Sequence, residues 1–288
     1  MTNDIEPVSK TFVSQGLKLH YLDWGNAAAP PLILVHGTRD HARSWDWVAR
    51  ALCNDWHIIA LDLRGHGDSD WSPDGAYLTP YHLLDFVELV DTLGYEQINI
   101  VAHSFGGNPT VRFAGLYPQR VRKLVLVDAM GPTPTFIARW NELGAVKRTR
   151  DWMEKVREVA AAKPKRFASV ELAIARMAEA NKHLSAAQAQ HLALHGVRRY
   201  DDGYGWKYDP HMGNFAPEDF AIHLVEYWRE ITADTLICWG SESWTSNPAA
   251  DGSAAHFRNQ RSLVFDKAGH WLHHDQLDVF VAALKEFL

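Results

Sequence analysis

Along the first 130 residues the apolar positions follow two alternating rhythms. Thr11 to Ser14 and Leu17 to Trp24 read as strands, with Gly16 as the turn between them. PLILVHG, Pro31 to Gly37, is a continuous apolar run ending in glycine, and WHIIALDLRGHG, Trp56 to Gly67, is another followed by a glycine-rich turn. Runs of this kind suit parallel strands covered on both faces. Between them Ser44 to Leu52 has helical spacing. Thr79 suits an N-cap and Pro80 the first helical turn; apolar residues then recur to Leu93, and Gly94 ends the helix. INIVAHSFGG, Ile98 to Gly107, reads as strand, sharp turn and helix start, and KLVLVDAMGP, Lys123 to Pro132, as another buried strand. Strands alternating with helices predict right-handed βαβ units and a mostly parallel sheet.

The rhythm changes after Gly131. No convincing buried strand follows until about Pro217, while Asp151 to Ala162, Phe167 to Asn181 and Ser185 to His195 have helical spacing, and Ala160 to Pro164 fits a helix end. A helix from about Pro217 to Ile231, a strand TLICWG from Thr235 to Gly240, a strand SLVFD from Ser262 to Asp266 and a last helix Gln276 to Leu288 restore the earlier pattern. The expectation is an α/β core, residues 1–130 and 217–288, interrupted by a helical insertion, residues 131–216.

Bulk properties narrow the function classes. With 29 Lys+Arg against 35 Asp+Glu the net charge is −6, too acidic for a surface that must gather phosphates, so no nucleic-acid partner is expected. No apolar run approaches the roughly 18 residues of a membrane helix. The start, MTNDIEPVSK, is polar and mixed in charge, unlike a signal peptide or anchor. Cys53 and Cys238 sit in apolar surroundings and read as free buried thiols, which suits a reducing cytoplasm. Oligomeric state is not legible.

The strongest chemical signal is Ala102-His103-Ser104-Phe105-Gly106, at a strand-to-helix turn. A nucleophile there is forced into a strained backbone, and small residues two before and two after it let strand and helix pack closely. Ala102 stands where glycine is usual and still meets the steric need. The alternative for the serine is an N-cap in a nucleotide-binding fold. Three further features favour the nucleophile. His36-Gly37-Thr38 follows the PLILV strand, so the Thr38 and Phe105 backbone N–H groups could form an oxyanion hole, each donor worth about 3 kcal/mol in the transition state. Ala268-Gly269-His270 follows the last strand, where a loop histidine can reach the serine. The chain order serine, acid, histidine is the one this architecture uses.

With LVHG, LDLRGHGDSD, VAHSFGG, LVLVDA and AGHW in this order, the sequence resembles the α/β-hydrolase family, and His183 to Pro210 resembles the cap of its serine-hydrolase-like, esterase branch. The resemblance implies an α/β-hydrolase fold: a mostly parallel eight-stranded sheet with a helical cap inserted after the sixth strand. It also implies Ser104 as nucleophile and His270 as base. Relatives that open epoxides or remove halides carry aspartate at the nucleophile position, so serine favours acyl chemistry. The acid departs from the family pattern. Where aspartate usually follows the seventh strand, this chain reads Trp239-Gly240-Ser241-Glu242-Ser243, and Ser243 cannot compensate an imidazolium. Asp128, ending the sixth strand, is the preferred replacement, and Glu242 is the alternative acid.

The leading expectation is a cofactor-free serine hydrolase of the carboxylesterase type acting on a small-molecule ester through an acyl-enzyme on Ser104. The alternatives are a carbon–carbon bond hydrolase or lactonase with the same triad, and a ligand-binding pseudoenzyme. No metal is expected, because His270, His273 and His274 lack HExxH or Cys/His spacing, and neither a Walker A nor a complete GxGxxG sequence is present. His36, His66 and His103 are expected to be satisfied loop and supporting groups. Trp140, Trp206, Tyr204, Tyr208, Phe215, Trp244 and Trp271 are candidates for an apolar pocket. Arg39 and Arg43 could meet a substrate carboxylate; a structural pairing with Asp40, Asp46 or Asp62 is the preferred reading. Lys207 and Asp209 are expected to form a surface pair.

Overall fold

A computed structural model describes residues 5–132, 134–163, 165–220 and 223–288. Strands β1 (Val8–Ser14), β2 (Leu17–Asp23), β3 (Pro31–Val35), β4 (His57–Leu61), β5 (Ile98–His103) and β6 (Val121–Val127) appear where the apolar runs lie. Between them run helices α1 (Asp46–Leu52), entered through a 3-10 turn at Ala42–Trp45, α2 (Thr79–Leu93) and α3 (Gly107–Leu116). Helices α4 (Pro134–Glu142), α5 (Ala145–Ala161), α6 (Val170–Ala180) and α7 (Ala186–Gly196) follow, then a hairpin of β7 (Val197–Tyr200) and β8 (Gly203–Trp206). Next come α8 (Leu224–Glu230), β9 (Asp234–Gly240), β10 (Gln260–Phe265), α9 (Leu272–Asp275) and α10 (Leu277–Phe287).

Eight strands form one sheet in the order β1-β2-β4-β3-β5-β6-β9-β10. β1 pairs antiparallel with β2 and β2 with β4, while every later pairing in the sheet is parallel. The mostly parallel eight-stranded expectation therefore holds. Its cause is visible in β3, where Leu32, Ile33, Leu34 and Val35 are all fully buried. Alternate residues serve opposite faces. Ile33 and Val35 join Ile59, Ile100 and Leu124 beneath Phe86 of α2 and Phe113 of α3. Leu32 and Leu34 join Ile58, Val101 and Val125 beneath Val48 of α1 and Phe280 of α10. Each large aliphatic side chain so enclosed contributes roughly 2 kcal/mol.

Several local expectations need correction. Thr79 is the first helical residue rather than the N-cap; Leu78 occupies that position, and the Thr79 N–H donates to Asp219 Oδ1 at 2.9 Å. The helix expected at Pro217 to Ile231 is a 3-10 turn, Pro217–Phe220, followed by α8, with residues 221 and 222 outside the described residues. Helix α5 begins earlier than periodicity suggests and ends at Ala161; Pro164, and the first four residues of the chain, lie outside the described residues. Helix α4 and the β7–β8 hairpin were not anticipated. The hairpin buries only Val197 and Gly205, too little for an apolar run to announce it. Lys207 pairs with Asp68 at 2.9 Å, whereas Asp209 is buried and accepts from the Tyr77 hydroxyl at 2.5 Å. Cys53 and Cys238 are free and buried, and burial pushes the Cys238 thiol well above its ordinary range. No described helix is long and apolar enough to cross a membrane.

Candidate active site

The C-terminal ends of β3, β5, β6, β9 and β10 open toward the same space, the place where parallel α/β sheets gather ligand-facing loops. Ser104 sits between β5 and α3 with φ +51°, left-handed for a residue with a side chain. Such strain needs support. Ala102 is fully buried beneath it. At Gly107 an added Cβ would stand 2.1 Å from the Ala129 carbonyl oxygen, so the helix approaches the segment after β6 as closely as it does only because no side chain intervenes. Gly37 supplies the other close approach: a Cβ there would lie 2.9 Å from Ser104 Cβ. That contact brings the loop after β3, and with it Thr38, against the serine.

His270 faces Ser104 from the loop after β10. Its Nε2 lies 2.7 Å from Ser104 Oγ and its Nδ1 lies 2.7 Å from Asp128 Oδ2. His270 is 6% exposed, so both bonds are shielded from bulk water. The loop is tied down twice. His103 Nε2 donates to the His270 carbonyl at 3.0 Å, and the Gly269 N–H donates to Asp275 Oδ2 at 2.8 Å. Burial holds His103 well below the ordinary imidazole range, and it stays neutral beside His270.

Asp128 also has a positive φ, +49°, at the end of β6, and its N–H donates to the Cys238 carbonyl at 2.8 Å. Its two oxygens are occupied from β9's loop: Ser243 Oγ donates to Oδ2 and Thr245 Oγ1 to Oδ1. Of the two candidate acids, then, Asp128 is the one brought to His270. Glu242 is not. It is about half exposed, and its carboxylate stands 3.5 Å from His183 Nε2. The one-residue offset sends Glu242 toward His183 and leaves Ser243 on the Asp128 carboxylate, so the longer side chain does not reach the imidazole.

Thr38 and Phe105 flank Ser104 on the wall of a cavity of about 1030 Å³. Beside them the loop histidines are held neutral. Burial lowers His36 to about 3 and His66 to about 4. His36 Nε2 accepts the Leu63 N–H at 3.1 Å, and His66 Nε2 accepts the Arg39 N–H at 3.0 Å. Both rings therefore fix loops, as the sequence suggested.

The same cavity is lined by Arg39, Trp206, Tyr208, Phe215, Trp244 and Trp271. Trp244 is 78% exposed with its ring centroid 4.7 Å from that of His270, which puts an indole at the mouth. Trp140 and Tyr204 are not on the wall; Trp140 stacks at 5.9 Å on Phe136, which is. Arg43 takes the structural role foreseen, pairing with Asp46 at 3.1 Å and also with Glu6 at 3.0 Å. Sequence reasoning missed Ser243 and Thr245 as partners of Asp128, and Arg139 and Arg176 on the cavity wall. An unexplained serine at a position that usually carries the acid was the available signal for the first pair; nothing in the sequence marked the arginines.

Residues 30–277 match the family model described as the alpha/beta hydrolase fold. Among known proteins the chain is 31% identical over 182 residues to a serine hydrolase-like protein of Danio rerio, a match spanning 63% of this chain and 55% of that protein. It is 32% identical over 266 residues to the esterase Rv0045c of Mycobacterium tuberculosis, covering 88% of this chain and 81% of the relative. A solved structure of the thioesterase domain from the curacin biosynthetic pathway superposes with TM-score 0.82 at 20% identity, covering 97% of this chain and 99% of that one.

Proposed function

Since the chain belongs to the α/β-hydrolase family, we propose that it is a serine hydrolase that cleaves a small-molecule ester, with Ser104, His270 and Asp128 as its catalytic triad. The observation that carries this is the unbroken Ser104–His270–Asp128 hydrogen-bond chain, 2.7 Å at each link, opening onto a cavity. In this reading residues 1–130 and 217–288 form the catalytic core and residues 131–216 the cap that closes over it.

His270 Nε2 takes the Ser104 proton as Oγ attacks the carbonyl carbon. The Thr38 and Phe105 amides receive the negative charge on the carbonyl oxygen. Collapse of the tetrahedral intermediate breaks the ester C–O bond, and His270 returns the proton to the departing alkoxide. Water, deprotonated by the same imidazole, then attacks the acyl-enzyme and releases the acid, with the proton going back to Ser104. Asp128 holds the Nδ1–H tautomer and offsets the imidazolium charge; Ser243 and Thr245 hold Asp128. No step needs a metal or an organic cofactor. The two buried free thiols fit a reducing compartment such as the cytoplasm.

The reading that the chain is a ligand-binding pseudoenzyme rested on a displaced acid. The bond between Asp128 and His270 supports the triad reading over it. A carbon–carbon hydrolase or lactonase would use the same triad, and the test must separate the two. Steady-state turnover of a p-nitrophenyl ester series is expected, with an initial burst stoichiometric with enzyme when deacylation limits, and with loss of activity in Ser104→Ala. Faster turnover of a ring-cleavage diketone than of any ester would transfer the assignment to carbon–carbon cleavage.

A further inference from the structure

The wall of the cavity carries a charge pattern that ester cleavage by itself does not require. Three guanidinium side chains line it: Arg39 from the loop after β3, Arg139 from α4 and Arg176 from α6. The chain as a whole is at −6, so this local excess runs against its own balance. Arg39 and Arg139 have no ion pair with a carboxylate among the described residues, and Arg176 has only the exposed Glu179, 2.7 Å away and three residues on along the same helix. Exposed pairs of that kind contribute little. Two carboxylates also line the cavity, and neither answers the arginines. Asp128 is engaged by His270, Ser243 and Thr245. Burial pushes the Asp40 carboxyl upward, toward its neutral form.

An unpaired surface arginine is ordinary; Arg39 is held in place. It has φ +63°, a left-handed backbone in a residue with a long side chain. Its N–H is fixed by His66 Nε2, itself an enclosed ring that donates from Nδ1 to the Arg64 carbonyl at 3.0 Å. The guanidinium carbon lies 5.8 Å from the Tyr208 ring centroid. A Cβ added at Gly213 would sit 3.4 Å from an Arg39 terminal nitrogen, so the guanidinium lies beside the loop after β8. Arg176 lines the same cavity as Arg39 and Tyr208, and both cations act to lower a Tyr208 phenol that burial raises. Two guanidiniums and a phenol thus share one cavity wall, with Thr38 one residue from Arg39.

We infer that the substrate carries a second, anionic group, a carboxylate or a phosphate, which Arg39 and Arg176 bind while the scissile carbonyl lies at Ser104. The inference rests on the serine-hydrolase reading and narrows its substrate class from esters in general to anionic ones. A planar guanidinium can take a carboxylate or phosphate through two parallel N–H···O bonds, which fixes where the rest of the molecule lies. The Phe136, Trp206 and Trp244 side chains add aromatic surface to the same cavity.

The test compares a matched pair of esters and a matched pair of thioesters. p-Nitrophenyl hydrogen glutarate and p-nitrophenyl valerate have acyl chains of equal length, one ending in carboxylate and the other in methyl. S-Butyryl 4′-phosphopantetheine against S-butyryl pantetheine, which differ only in the phosphate, places the anion on the leaving group instead. The expected result is a kcat/KM advantage of at least 10-fold for the charged member of one pair. The pair that shows it identifies carboxylate or phosphate. That ratio should fall at least 5-fold in Arg39→Gln and, separately, in Arg176→Gln on the exposed face of α6, with the change mainly in KM. Raising ionic strength should shrink the advantage. Equal or faster turnover of the neutral member in both pairs overturns the inference and leaves the hydrolase intact. Turnover of none of the four overturns the hydrolase reading together with it.

Discussion

Ser243 donates its hydroxyl proton to Asp128 Oδ2, the same oxygen that holds His270 Nδ1. The position after β9, where relatives usually carry the acid, here donates to the carboxylate at the end of β6 that His270 contacts. A carboxylate accepting from Ser243, Thr245 and His270 at once is fixed in orientation by two loops, those after β9 and β10.

Asp128→Asn should lower kcat by about 10³ to 10⁴, the loss expected when the imidazole is left in the wrong tautomer. Glu242→Gln should change kcat less than 2-fold, because Glu242 turns toward His183. Steady-state kinetics on one p-nitrophenyl ester, with circular dichroism to confirm folding, decides between them.

Placing aspartate at position 243 in the Asp128→Asn background should restore activity at least 10-fold over the single variant. Ser243 already lies within hydrogen-bond reach of the Asp128 carboxylate, so a carboxylate there stands next to His270. No recovery in a folded double variant would mean that the backbone after β9 cannot present an acid.

Acid should unfold the protein early. Burial holds His36 and His274 at about 3 and His66 at about 4, all below the ordinary imidazole value. The folded state therefore binds fewer protons than the unfolded state at acid pH. The stability these rings contribute by staying neutral is complete above about pH 6.5 and is lost as pH falls from there toward 3. At pH 5 linkage gives a loss of about 2 kcal/mol for each such ring. Urea midpoints at pH 7.5 and 5.0 check the sign.

Gly107→Ala should destabilise the protein by about 3 kcal/mol or more, since its methyl would collide with the Ala129 carbonyl at 2.1 Å. Gly144→Ala, at a positive φ but with nothing within 4 Å, is expected to lose only the smaller backbone penalty. Thermal melts of the two variants separate close packing from conformational strain.

The parallel strands were legible because burial on both faces leaves continuous apolar runs such as Leu32 to Val35. Ser104 and His270 were legible because each needs small neighbours at a sharp turn, and Ala102, Gly106 and Gly269 are written in the chain. The acid was harder. Asp128 and Glu242 are both carboxylates near strand ends, and only the direction in which each backbone points its side chain separates them. The wall of the cavity was least legible. Arg139 and Arg176 lie on α4 and α6, helices far apart in sequence and united by tertiary packing alone. Trp140 shows the converse: its composition fitted the pocket, but it backs Phe136 rather than facing the space.

The most direct measurement is site mapping with a fluorophosphonate, which phosphonylates only a serine activated by its neighbours. Intact-mass and peptide spectra should show one adduct per chain, on Ser104, absent from Ser104→Ala and slowed at least 100-fold in His270→Ala. An adduct on another residue, or ester turnover that persists undiminished in Ser104→Ala, would contradict the account.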